Sequence, residues 1–346
     1  LRGKVVLMAT IHDYISDRHA ILLLTTRFRT EQDSEIKPLG LRSFNNLARR
    51  IASSSVSRPG TLLELSEKEI REQLEIDEQS AKLIGSLLNR RHSLAVELAH
   101  LEELGIKTIS RAEPDYPRKL FEKLKQLAPP VLFYSGDLSI LAERAISIVG
   151  SRNLSQSLLD TSRLLGEKCS DCGAAVISGG ARGADLNAMM GSLEKNGLAA
   201  GVVADSLKSI MRKNEIGGYV RDGRLVLLSA FPPWEGFTVW KAMDRNKYIY
   251  SLSDFGVVVR SDLEKGGTWA GAVECIEKKY CPLFVLDLGR EEKGNDGLIK
   301  MAGIPLNPEL IADERDIYKL LARMIERDSC SEASGETNEK QLPLWF

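Results

Sequence analysis

The sequence predicts an α/β fold: a doubly wound, Rossmann-like parallel sheet with helices on both faces, preceded by a small helical domain. Three observations predict it. From Ala145 to about Asp287, short apolar runs alternate with segments of helical periodicity, the pattern of a parallel sheet covered on both sides. Two of those runs end in glycine-rich turns that open helices, Ile148-Val149-Gly150-Ser151-Arg152 and Ser178-Gly179-Gly180-Ala181-Arg182-Gly183-Ala184-Asp185. The first hundred residues instead carry helix patterns and capping signals.

Taken in chain order, Ser43 to Ile51 is expected as a helix. Another starts at Ser66, where Ser66-Glu67-Lys68-Glu69 has the serine and glutamate of a capping box. A third starts near Asp77 and carries Ala81, Ile84, Leu87 and Leu88 on one face, and a fourth runs from about Ser93 to Leu104 and stops at Gly105. Short helices joined by short turns suggest a helix-hairpin-helix or SAM-like bundle over residues 1–104. Ile106 to Ile109 and Val131 to Tyr134 are short strands in a proline-punctuated segment that reads as a connector packed on the next domain. The sheet strands are expected at Ala145–Val149, Ala174–Ser178, Leu198–Val203, Leu225–Ser229, Phe255–Val259 and Leu283–Asp287. Between the first two, Leu158, Leu159, Leu165, Cys169 and Cys172 form one helix stripe. A final helix is expected over Glu314 to Arg327, closing a domain at 105–327. Residues 328–346 read as a disordered tail, because Asp328 to Lys340 is polar and without apolar periodicity.

The bulk numbers narrow the function. The 346 residues suffice for two domains, and 43% hydrophobic content supports a substantial core. With 47 basic and 48 acidic side chains the net charge is −1, so a polyanion site must be a local patch. Five cysteines, an odd and sparse set, fit a reducing cytoplasm better than a disulfide scaffold. No signal peptide is visible, and Ile21 to Leu24 is too short to span a membrane, so no membrane role is expected. The chain opens on Leu1 rather than Met, and a few residues are expected ahead of it.

In an open parallel sheet, ligands bind outside the carboxyl ends of the strands. A glycine-rich turn there lets backbone N–H groups approach a phosphate, and the helix N-terminus favours negative charge. Arg152 and Arg182 each stand where strand gives way to helix, and a guanidinium forks onto phosphate oxygens at any working pH. Either arginine could instead pair with a nearby acid such as Asp185, which is otherwise expected to bond backbone N–H groups or orient Arg182. Other loops repeat the theme: Arg212-Lys213 after the third strand, Asp244-Arg245-Asn246-Lys247 before the fifth, and Lys265-Gly266-Gly267-Thr268 after it. The candidate phosphate site is therefore Gly150, Ser151, Arg152, Ser178, Gly179, Gly180, Arg182, Gly183, Arg212, Lys213, Arg245, Asn246, Lys247, Lys265, Gly266, Gly267 and Thr268. Bases could stack on Trp269 or Tyr248. Cys169/Cys172 and Cys275/Cys281 have loosely zinc-like spacings, but the first pair falls on the apolar stripe and Cys281 begins a strand, so core cysteines are expected and no metal. The four histidines, His12, His19, His92 and His100, form no catalytic set, and no cofactor is expected.

The ordered series Val149-Gly150-Ser151-Arg152, Ser178 to Asp185, Arg245-Asn246-Lys247 and Lys265-Gly266-Gly267-Thr268 resembles the DprA/Smf family of bacterial DNA-processing proteins. The entry segments Pro114-Asp115-Tyr116-Pro117 and Pro129 to Asp137, and Asn295 to Pro305, extend the resemblance over about residues 105–310. The resemblance implies single-stranded DNA binding through the basic pocket, homodimers, loading of the RecA recombinase during natural transformation, and no enzymatic activity. The chain departs from the family at Lys247, at Asn187-Ala188-Met189, at Phe231 to Phe237, and in having no winged-helix segment after the sheet, the marks of a divergent member. A second resemblance, to LOG-type nucleotide phosphoribohydrolases, rests on Gly266-Gly267-Thr268 and Glu274 and implies nucleotide sensing or cleavage. The tail Gln341-Leu342-Pro343-Leu344-Trp345-Phe346 resembles the peptide by which bacterial proteins dock on the DNA polymerase sliding clamp. Gln341, Leu342, Leu344, Trp345 and Phe346 would be its anchors, presented on a flexible tether, and a clamp-tethered scaffold is a further reading.

Overall fold

A nine-stranded sheet organises the chain in a computed structural model that describes residues 2–31, 36–204, 207 and 214–333, without the side chains of 2–12, 214–215 and 327–333. The strands are β1 (Lys107–Ser110), β2 (Val131–Ser135), β3 (Ala145–Val149), β4 (Ala175–Ser178), β5 (Ala199–Val202), β6 (Leu225–Ser229), β7 (Phe255–Val258), β8 (Leu283–Leu286) and β9 (Ile304–Leu306). Their order is β1-β2-β6-β5-β4-β3-β7-β8-β9. All pairs from β6 to β9 are parallel, while β1 and β2 are antiparallel additions. The six sheet strands expected from apolar runs lie within one residue of their expected ends. Burial on both faces explains why continuous apolar runs located them.

Three expectations are corrected. The segment 105–137 is no mere connector, because β2 pairs with β6, Phe133 opposite Ser229, and β1 extends the same sheet. Strand β9 was not expected: it is three residues long and contains Pro305, which an edge position tolerates because one side of the strand needs no donor. The last helix runs over Ile317–Ala333, so the first six residues of the expected tail are helical backbone. The rest of that tail lies outside the described residues.

The helical region comprises α1 (Arg2–Thr25), α2 (Leu41–Ser53), α3 (Glu67–Leu74), α4 (Glu78–Leu88) and α5 (Arg91–Glu103). The capping box forms as spaced: the Glu69 N–H donates to Ser66 Oγ at 3.3 Å, and the Ser66 N–H donates to Glu69 Oε2 at 2.8 Å. Asp77 caps α4 by accepting the Ser80 N–H at 2.8 Å. Ala20 to Leu24 of α1 are all buried, so that end of the helix is surrounded and shows no polar face to read. The apolar residues of this bundle merge with Phe133, Ile146, Ile148 and Val176 on one face of the sheet, while Leu132, Ala145, Val149 and Ile177 face a second core.

The remaining helices are α6 (Arg118–Leu124), α7 (Gln156–Asp171), α8 (Ala184–Glu194), α9 (Asn214–Arg221), α10 (Val239–Asp244), α11 (Asn246–Ser251), α12 (Gly266–Lys278), α13 (Lys293–Lys300), α14 (Pro308–Asp313) and α15 (Ile317–Ala333). The chain proceeds from β3 through β4 and β5 to β6, then returns to the other side of β3 with β7. The loops after β3 and β7 therefore part in opposite directions and leave a crevice between them, at the topological switch point.

Candidate functional site

The crevice holds a cavity of about 370 Å³. Gly150, Ser151 and Arg152 reach it from the turn after β3, and Lys265, Gly266, Gly267 and Thr268 from the turn after β7. Its deeper lining includes Asp185, Arg245, Asn246 and Tyr250, and Phe237, Val239 and Met243 form an apolar wall.

Close backbone approach sets this geometry. Gly183 has φ +91°, and a Cβ there would collide with the backbone of Ser151 and Arg152, so glycine lets the two arginine-bearing turns touch. A Cβ at Gly179 would overlap the Arg245 guanidinium, which passes beneath that turn. Asn246 ties the β7 turn in place by donating to Gly267 O at 2.8 Å. Asn295, fully buried, accepts the Ser261 N–H at 2.9 Å and donates to Val259 O and Leu286 O at 3.0 and 2.8 Å, pinning the end of β7.

Burial divides the cations. Arg245 is 7% exposed; it donates to Val202 O and lies 3.8 Å from the Asp185 carboxylate. Asp185 also accepts the Gly150 N–H at 3.3 Å. Desolvation raises the Asp185 pKa and lowers that of Arg245, each opposed by the other's charge. The carboxylate and guanidinium thus hold three turns together, and the arginine partner of Asp185 is Arg245 rather than Arg182. Arg152 and Lys265, in contrast, are exposed and have no carboxylate partner among the described residues. The Arg152 guanidinium sits 5.8 Å from the centre of the Phe237 ring. Lys265 precedes α12 without a side-chain cap, so the first N–H groups of that helix are available to an anion beside two cations.

The other expected residues are placed differently. Arg182 is exposed and likewise without a carboxylate partner among the described residues, but it stands outside the cavity lining, as does exposed Gly180. Ser178 is fully buried and donates to Ile148 O at 2.5 Å, so its role is to join β4 to β3. Lys247 is paired with Asp244 and leans 5.1 Å over Tyr248, away from the cavity. Arg212 and Lys213 lie outside the described residues. Tyr248 is buried with its hydroxyl on Asp244 at 3.1 Å and offers no face to a base, while Trp269 is half-buried against the second core and stands outside the cavity lining. Two aromatics of the segment 237–243 are exposed, Phe237 at 45% and Trp240 at 65%, beside Val239 at 69% and Met243 at 43%. Sequence reading missed them; the signal was the apolar run Phe237-Thr238-Val239-Trp240 leading from the loop into α10. Cys169, Cys275 and Cys281 are buried, and no cluster able to hold a metal occurs among the described residues.

Fold and crevice define an open α/β protein with a cavity at its switch point, lined by the exposed cations Arg152 and Lys265. Residues 107–310, more than half of the chain, match the DNA recombination-mediator protein A family, and the chain belongs to that family. Protein Smf of Escherichia coli (strain K12) is 29% identical over 219 residues, which cover 62% of this chain and 58% of that protein. Protein Smf of Borreliella burgdorferi is 25% identical over 234 residues, 64% of this chain and 71% of that protein. The match thus spans less than two thirds of the Escherichia coli relative's length. Among solved structures, DNA processing protein A of Streptococcus pneumoniae superposes with TM-score 0.59 at 20% identity, over 77% of this chain and 90% of that one. DNA processing protein A of Helicobacter pylori, described for its single-stranded DNA binding mode, gives TM-score 0.51 at 23% identity, over 60% of this chain and 94% of that one. These two likenesses establish the fold. No described helix is long and apolar enough to cross a membrane.

Proposed function

We propose that the protein binds single-stranded DNA in this crevice and serves as a recombination mediator that holds a strand without altering it. One observation carries the reading: Arg152 and Lys265, both exposed and free of carboxylate partners among the described residues, line one cavity with an exposed apolar wall. Phosphate oxygens would lie on Arg152, Lys265 and the N–H groups that open α12. Bases would stack on Phe237 in the cavity wall and on Trp240, exposed just outside the lining, which are sequence-tolerant platforms because every base has a π-face. Membership in a recombination-mediator family and the single-stranded DNA binding of the Helicobacter pylori protein support the same ligand.

Delivery of the strand to RecA, a homodimeric state and a cytoplasmic site of action belong to this proposal on the strength of the family resemblance. Docking on the sliding clamp through Gln341, Leu342, Leu344, Trp345 and Phe346 rests on the peptide pattern, and those residues lie outside the described part of the chain. The phosphoribohydrolase reading is disfavoured by Glu274, which is absent from the cavity lining and accepts the Tyr280 hydroxyl at 3.0 Å.

The test is anisotropy titration of labelled oligothymidylate with the parent, Arg152→Ala and Lys265→Ala. Each variant is expected to bind about tenfold more weakly and to flatten the salt dependence, since a single-strand phosphate contact adds about 0.7 to the log–log slope. Parent-like binding by both folded variants sinks the reading. Preference for a mononucleotide over any strand would point to nucleotide sensing instead.

A further inference from the structure

We infer that the strand's path continues from the switch-point cavity across the loop 231–238 onto the helical region, with Arg27 as its next phosphate contact. This extension rests on the single-stranded DNA reading of the cavity. Three depressions adjoin one another. The first is the 370 Å³ cavity already described. The second, about 350 Å³, shares Phe237 with it and is bounded by Arg27 from the end of α1. The third, about 220 Å³, shares Trp234, Glu235 and Gly236 with the second and is bounded by Arg29 and His100 of the helical region.

The floor of this track is built rather than incidental. Trp234 Nε1 donates to Arg27 O at 3.0 Å, and the Trp234 ring meets Phe133 edge-on at 6.0 Å between centroids, so the loop is fastened to both the helical region and the sheet. Lys241, 8% exposed, donates to Gly236 O at 3.0 Å and pairs with Glu235 at 2.8 Å. That pairing neutralises the carboxylate shared by the second and third depressions. Arg29 is half spoken for: its guanidinium lies 3.6 Å from the buried Glu97, whose Oε1 also accepts the Arg29 N–H at 2.9 Å. His100 Nδ1 is 3.7 Å from Glu103. Arg27 alone among these cations has no carboxylate or side-chain hydrogen-bond partner among the described residues, and it is only partly buried. An unpaired guanidinium in the depression that shares Phe237 with the cavity of Arg152 and Lys265 is the arrangement that a phosphate backbone follows and a single nucleotide does not need.

The experiment uses the full chain and oligothymidylates of about 4 and about 20 nucleotides, lengths chosen to fall below and above the usual reach of a single groove. Arg27→Ala should weaken the long strand about five- to tenfold and lower its salt slope by about 0.7, leaving the short strand unchanged. Arg27→Glu should weaken the long strand further, and Arg152→Ala should weaken both lengths. Because the Arg27 side chain has no hydrogen bond or ion pair among the described residues, thermal unfolding of Arg27→Ala should match the parent. Parent-like affinity of Arg27→Ala for the long strand overturns the extension while leaving the cavity reading intact. Equal weakening of both lengths also overturns it, placing Arg27 inside the first site. Failure of the parent to bind either strand removes the cavity reading itself.

Discussion

Arg245 and Arg152 both belong to the switch-point crevice, and they show what burial does to one side chain. Arg152 reaches the mouth of the cavity, exposed, 5.8 Å from the centre of the Phe237 ring and with no carboxylate ion pair among the described residues. Arg245 is drawn under the Gly179 turn, where it bonds Val202 O and faces Asp185. A solvated guanidinium keeps its donors for a ligand, whereas a buried one must satisfy them within the fold. The first is left available for the proposed strand and the second holds the turns around it, so equal chemistry and neighbouring positions do not imply equal roles.

The sharpest attempt to break this contrast is Arg245→Met. Removing one partner of a buried pair leaves Asp185 unmatched, and the expected loss is about 3–5 kcal/mol of stability in denaturant unfolding. Unchanged stability would show that Arg245 is not a strut. Trp240→Ala comes next, with an expected loss of about 1–3 kcal/mol in single-stranded DNA affinity, and an abasic strand of equal length should bind parent and variant alike. Arg152→Ala, with its tenfold effect on affinity, should leave thermal unfolding within about 0.5 kcal/mol of the parent, the reverse of Arg245→Met.

A smaller effect is expected from pH. Burial raises the folded pKa of Asp185 above its ordinary 3.8, so the folded state holds this proton more tightly than the unfolded chain does. Its contribution to stability is fully present below 3.8 and declines as pH rises toward the folded value. The stability of the parent relative to Asp185→Asn should fall across that window, as denaturant unfolding at successive pH values will measure; a rise would reverse the assignment. Least of all should Lys247→Ala matter. Its ammonium is taken up by Asp244 off the cavity, and DNA affinity should stay within about 0.5 kcal/mol.

Much of the fold was legible because its signals are local. The capping box at Ser66 and the Asp77 cap formed as spaced, since a cap depends on residues three apart. The sheet strands were legible as apolar runs, since both faces are covered. Helix α1 was not, because its buried end leaves no alternation to detect, and β9 was hidden by Pro305 at the sheet edge. Within the site, the turns bearing Arg152 and Lys265 were readable from their glycines. That Ser178 and Arg245 turn inward, that Lys247 points away, and that Phe237 and Trp240 stand open was not readable, because each depends on what lies across the fold.

By itself, then, the sequence determined a doubly wound sheet, the turns at its carboxyl end and the family motifs they carry, all of which follow from local periodicity, backbone permissiveness and residue order. Only the tertiary structure decided which cations are spent inside the fold and which remain for a ligand. That choice depends on desolvation and on partners brought from distant segments: Asp185 to Arg245 across 60 residues of chain, and Trp234 to Arg27 across 207.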